Sequence, residues 1–177
     1  MSKIKEEQQE KYMSKKVDNK LVQLLSTKVD TGMVDFKQVY RNPIPMNERI
    51  SVVNSKIAAD YLRALYSPDE IELRESFQAM YLNRKNQILG AYLVAVGSVS
   101  GCVVDVSAVA RGAVLCNASG VILCHNHPSG AVAPSESDLS ITKKIKNGLA
   151  FLDVNLLDHI ILGGGSSYFS FTDEDKL

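Results

Sequence analysis

The chain has 177 residues, of which 45% are apolar, and its 20 basic and 20 acidic side chains cancel to a net charge of zero. That length suits one domain with an appendage and enough apolar surface for a core, while the even balance gives no overall support to nucleic acid or an anionic membrane as partner. No apolar run reaches membrane-spanning length and the start, Met1-Ser2-Lys3-Ile4-Lys5-Glu6-Glu7, lacks an export segment, so a cytoplasmic protein is expected.

Residues 1 to about 20 are mostly Lys, Glu, Gln and Ser, a composition too polar to offset ordering entropy. From Leu21 to Tyr40 apolar residues are plentiful but follow no clean period, and Asn42-Pro43-Ile44-Pro45 then breaks any regular element. We therefore read 1–45 as an N-terminal extension, partly disordered or helical, and 46–177 as the folded domain. Asn54 or Ser55 is suited to cap a helix with Ile57, Tyr61, Leu62 and Leu65 on one face, ending at Ser67-Pro68. Ser76–Asn83 and Gln87–Gly97 read as two strands of a hairpin joined by Asn83-Arg84-Lys85-Asn86. Val106–Asn117 is predicted to be a short helix, and Gly120-Val121-Ile122-Leu123-Cys124 a short buried strand.

Ser135 opens a further helical pattern, with Leu139, Thr142, Ile145, Leu149 and Leu152 inward and Lys143, Lys144 and Lys146 on a solvated face. A strand at Leu156–Leu162, a turn at Gly163-Gly164-Gly165 and a closing strand around Tyr168–Phe171 complete the pattern. The glycine run lacks the Gly-x-Gly-x-x-Gly spacing and a following helix, so it is read as a turn and not a phosphate site. Cys102, Cys116 and Cys124 are odd in number and never spaced Cys-x-x-Cys, which argues for buried thiols over disulfides or a thiolate zinc site.

The densest chemistry lies at Cys124-His125-Asn126-His127-Pro128-Ser129-Gly130, followed by Ser135 and Asp138. Residues two apart on a strand project to one face, so His125 and His127 can reach one ion as the chain leaves the strand, with Cys124 and Asn126 pointing elsewhere. Asp138 falls in the first turn of the next helix, three residues after its expected N-cap, Ser135. Ser-x-x-Asp alone is an ordinary capping arrangement; the neighbouring histidines change that reading. Two imidazoles and one carboxylate leave a fourth position open for water, the mark of a catalytic rather than a structural zinc site. His159, isolated in Leu157-Asp158-His159-Ile160, is read as a hydrogen-bonded structural residue and left out of the metal set.

These residues resemble the JAMM (MPN+) metalloprotease motif, and the surrounding text is similar to the RadC branch of that superfamily. The likeness rests on Arg74-Glu75-Ser76-Phe77, Leu82-Asn83, Leu123 to Gly130, Pro134-Ser135, Asp138 and Leu157-Asp158-His159-Ile160-Ile161, and covers roughly residues 50 to 177. It implies an α/β fold of the mixed α+β kind, a mixed sheet flanked by helices, and a bacterial source. It also implies one Zn²⁺ held by His125, His127 and Asp138, with an upstream glutamate as general base. Glu75 occupies the place of the glutamate in the family's Arg-Glu-x-Phe stretch, while Glu70 and Glu72 are expected to be exposed charges. The helix-hairpin-helix segment that typical members carry ahead of this domain has no counterpart that we find in residues 1–45.

The resulting expectation is a zinc-dependent hydrolase of a peptide or isopeptide bond in a peptide or protein substrate. Glu75 activates the zinc-bound water and Ser135 steadies the developing oxyanion. Two rivals remain open: a metal-dependent, DNA-associated phosphodiesterase, which the charge balance does not favour, and a non-catalytic zinc-containing binding module.

Overall fold

The computed structural model describes residues 44–67, 70–98 and 101–177; the expectations for residues 1–43 and for Pro68 lie outside them. Helix α1, Ser55–Arg63, precedes the hairpin of strands β1, Ser76–Leu82, and β2, Ile88–Val96. Helix α2, Val106–Leu115, leads to β3, Gly120–Asn126, and helix α3, Glu136–Ala150, to β4, Asn155–Leu162, and β5, Tyr168–Ser170. The strands form one mixed sheet in the order β2-β1-β3-β4-β5, in which β3 and β4 are parallel and the other neighbours antiparallel. The α/β expectation, a mixed sheet flanked by helices, is met.

Each face of the sheet packs its own core. On one side Met80, Leu82, Ile122, Cys124, Ile160 and Leu162 pack under α1; on the other, Phe77, Ala79, Tyr81, Val121 and Leu123 pack against Val109 and Ala113 of α2 and Ile145 and Leu149 of α3. Alternation along β3 thus sends Ile122 and Cys124 one way and Val121, Leu123 and His125 the other. All seven β3 residues are buried, as expected for a central strand covered on both faces. The α2 helix lies so close to β1 that a Cβ at Gly112 would stand 2.0 Å from the Tyr81 hydroxyl oxygen, which donates to Val109 O at 3.2 Å.

Two packing expectations are corrected. The α1 face turned to the sheet is Ala58, Ala59 and Leu62; Ile57 and Tyr61 are only partly covered, and Leu65, beyond the helix end, is exposed. Small residues let the helix axis approach the sheet closely, and a count of large apolar side chains overlooks them. In α3 the inward set is Asp138, Thr142, Ile145 and Leu149, with Leu139 half-buried. Leu152 is exposed because the helix stops at Ala150 and Asp153 turns the chain with φ 54°. The β3 strand also runs two residues further than expected, so His125 lies within it. Among the described residues no helix is long and apolar enough to cross a membrane.

Substituting Gly112→Ala should force Tyr81 or α2 to shift and lower stability by about 1–3 kcal/mol. Gly90→Ala, where a Cβ meets nothing within 4 Å, should stay within about 0.5 kcal/mol of wild type. Chemical-denaturation midpoints of the two variants check the difference.

Candidate metal centre

His125 is the penultimate residue of β3, and His127 follows the strand's last residue with its backbone N–H still held by Leu162 O at 3.0 Å. The two rings therefore leave the sheet on one side, and their Nε2 atoms stand 3.0 Å apart. Asp138 reaches the same point from the first turn of α3. Its Oδ1 is 3.3 Å from His125 Nε2 and its Oδ2 3.7 Å from His127 Nε2. The three donors all lie within 4.8 Å of one another, so the spacing-based set of His125, His127 and Asp138 is brought together.

Ser135 and Asp138 form a reciprocal capping box at the start of α3. The Ser135 backbone N–H and hydroxyl both donate to Asp138 Oδ2 at 2.7 Å, and Asp138 N–H returns a bond to Ser135 Oγ at 3.2 Å. The capping reading and the ligand reading are therefore both satisfied by one carboxylate, because its Oδ2 serves the cap and its Oδ1 faces His125.

The electrostatics point one way. Burial opposes ionisation of Asp138, but the two imidazoles and the Ser135 hydroxyl outweigh it and hold the carboxyl well below the usual range. The hydrogen bond to Asp138 raises His127 against the opposing effect of burial. Both shifts reflect the mutual attraction of the carboxylate and the imidazoles. Two nitrogens and a carboxylate oxygen, three donors in all, suit a divalent metal ion of the zinc type by donor chemistry, so these three residues could hold one.

The site opens outward in a gradient: the His125 side chain is 1% exposed, Asp138 11% and His127 18%. His127 borders two adjoining clefts. One, of about 790 Å³, is lined by Glu75, Phe77, Cys102, Ser135 and Asp138 among others. The second, of about 500 Å³, is lined by Arg63, Tyr66, Glu72, Ser129 and the glycine turn. Glu75, half-buried just before β1, thus shares a cleft with Ser135, His127 and Asp138. Glu72 is exposed and borders only the second cleft, and Glu70 pairs with Arg74.

Three polar residues of the centre were not assigned to it from sequence. Asn126, between the histidines, is fully buried and uses every hydrogen-bonding position it has. Its Nδ2 donates to Ile71 O at 2.6 Å and Arg74 O at 2.9 Å, and its Oδ1 accepts from Ser76 N at 2.8 Å and Ser76 Oγ at 3.3 Å. It ties the histidine segment to the residues that carry Glu75. His159 is the structural, hydrogen-bonded residue expected, but its partner is His125 Nδ1, at 2.8 Å. Its other nitrogen, Nδ1, lies 2.6 Å from Thr142 Oγ1, and burial pushes its pKa well below the usual histidine value. Phe77 and Phe171 stack on the His125 and His159 rings at centroid distances of 5.9 and 4.8 Å.

A mixed sheet of this topology, with a His-x-His at the end of its central strand and an Asp in the first turn of the following helix, is consistent with a JAB-type, or MPN-type, domain. A model of the RadC-like JAB domain matches residues 52–177, and the chain belongs to that family. It is 43% identical over 100 residues to a UPF0758 protein of Flavobacterium johnsoniae, covering 56% of this chain and 43% of that one. It is 38% identical over 115 residues to a UPF0758 protein of Methanosarcina acetivorans, covering 65% and 50%. The UPF0758 protein YfjY of Escherichia coli is 35% identical over 128 residues, covering 72% and 78%. The chain spans about half the length of the first two relatives.

Asn126→Ala leaves the Ile71 and Arg74 carbonyls and the Ser76 N–H without their partner, and should cost roughly 2–4 kcal/mol. Hydrogen exchange should rise at residues 71–76 before the rest of β1 opens. Unchanged exchange there would show that Asn126 does not hold the segment.

Proposed function

We propose that the domain, with its boundary near residue 46, is a cytoplasmic zinc-dependent hydrolase of peptide or isopeptide bonds in a peptide or protein substrate. The observation that carries this reading is the convergence of His125, His127 and Asp138 beside a cleft that Glu75 and Ser135 also line. His125, His127 and Asp138 would hold the zinc, which when bound would supply Lewis acidity and a nucleophile at neutral pH. Glu75, as general base, takes a proton from the attacking water and returns it to the leaving amine. Ser135 donates its hydroxyl to the oxygen that becomes negative at the scissile carbonyl, releasing its bond to Asp138 Oδ2 as it does so. Phe77 forms an apolar wall beside them that limits competing water.

A peptide substrate is favoured over a phosphodiester by charge. Among the described residues lining the cleft that holds Asp138 there is no Lys or Arg, whereas binding to a phosphate backbone depends on such cations. Arg63 in the second cleft is turned onto backbone oxygens, donating to Gly163 O at 2.9 Å and Ser167 O at 2.6 Å.

Protein purified without chelator should carry near-stoichiometric zinc by mass spectrometry; His127→Ala should lose it and Glu75→Gln keep it. Wild-type protein that holds no zinc and takes up none when it is added would remove the hydrolase reading. On a peptide substrate found by screening, Ser135→Ala should lower turnover about 10²- to 10³-fold with zinc retained, and equal turnover would sink the oxyanion role.

A further inference from the structure

We infer that Thr142 and His159 are positioning residues for the metal centre: they fix which nitrogen of His125 carries its proton and so present a bare Nε2 to the ion. This rests on the proposed metal reading and goes beyond it, since neither residue touches the donor point.

The direction of the relay follows from counting protons. Thr142 Oγ1 bonds the backbone carbonyl of Asp138 one turn back, and a carbonyl has no proton to give. The single hydroxyl proton of Thr142 is therefore used there. At 2.6 Å from the same Oγ1, His159 Nδ1 must supply the proton of that second bond. His159 is fully buried and no carboxylate bonds its ring, so it is neutral and its Nε2 is left bare. Across 2.8 Å, His125 Nδ1 then has to be the donor, and its Nε2 keeps the free lone pair. In its neutral form His127 reaches the same state by a shorter route, since its Nδ1 donates to Ala131 O at 2.8 Å. Both histidines are thereby held in the form that binds a metal through Nε2.

The relay also depends on an irregularity of the sheet. Between β3 and β4 the register shifts by one residue, Val121 pairing with Leu156 but Ile122 with Asp158. The shift turns His159 onto the His125 face, where strict alternation from Leu156 would have turned it away. Asp158 holds the shifted backbone by accepting from His159 N at 2.7 Å, Thr172 N at 3.0 Å and Ser170 Oγ at 2.6 Å. Because Thr142 bonds the carbonyl of Asp138, one hydroxyl links the imidazole ligand and the carboxylate ligand.

The test uses the full chain, stripped of metal, with zinc affinity measured by competition against a chromophoric chelator and ring tautomers read by histidine ¹⁵N NMR. Wild-type His159 should be protonated on Nδ1 and bare on Nε2. Thr142→Val should weaken zinc binding about 10- to 100-fold, while Thr142→Ser, which restores the hydroxyl, should stay within about threefold of wild type. A purely structural role for Thr142 would change unfolding but leave zinc affinity alone, and that result overturns the proposal. So does a wild-type His159 protonated on Nε2, a measurement that stands even where Thr142→Val fails to fold. Wild-type protein that binds no zinc is a different failure, because it removes the hydrolase reading itself.

Discussion

Three hydrogen-bond acceptors aimed at one another from a largely buried position form an arrangement that repels itself unless a cation lies among them. His125 Nε2 and His127 Nε2 are 3.0 Å apart, with Asp138 Oδ1 3.3 Å from the first. Much of the domain's polar architecture serves to prevent these groups from turning away. His125 is gripped from behind by His159 and stacked by Phe77, His127 is held by Ala131 O, and Asp138 is fixed in its capping box. Behind the donor point the buried polar groups are hydrogen-bonded, His159 to Thr142 and Asn126 to Ile71, Arg74 and Ser76, and such a network resists rearrangement.

What the sequence displayed, and what it hid, divides by how far apart in the chain the interacting groups lie. His125, His127, Ser135 and Asp138 fall within fourteen residues, and their relative placement needs only a strand end, a turn and a helix start. Those are local features that residue types announce: Ser135 caps and Asp138 completes the box. Asn126 bonds residues more than fifty positions earlier, and His159 meets His125 across 34. Such pairs depend on which strand lies beside which, and for His159 on a one-residue register shift that no alternation rule reveals.

The misread helix faces have a related cause. Apolar periodicity weights side-chain bulk, whereas α1 approaches the sheet through Ala58 and Ala59, where the absence of bulk permits the contact. In α3 the inward stripe contains Asp138 and Thr142, polar residues that a hydrophobic count assigns to solvent or passes over, although Thr142 was read as inward. The first two turns of that helix pack against the centre and the later ones, Ile145 and Leu149, against the apolar core. The buried face of one helix thus changes from polar to apolar along its length, from Asp138 and Thr142 to Ile145 and Leu149.

The exposure gradient across the donors has a consequence for how such a site could act. His125, 1% exposed and locked by a relay of buried groups, behaves as a rigid anchor. His127, 18% exposed, borders both clefts, and behind the donor point its ring is held by the carbonyl of Ala131 on the loop after β3. Any ion held by the set would have its inner coordination fixed by the sheet and its outer side facing the cleft that contains Glu75. Preorganisation of that kind keeps the donors fixed while an outer position exchanges water and substrate. It also accounts for Asn126 lying between the two histidines, since the same two-residue step that puts both rings on one side turns the intervening side chain toward the segment carrying Glu75. Placement of the two imidazoles and placement of Glu75 are then not independent, because three consecutive residues at one strand end bear on both.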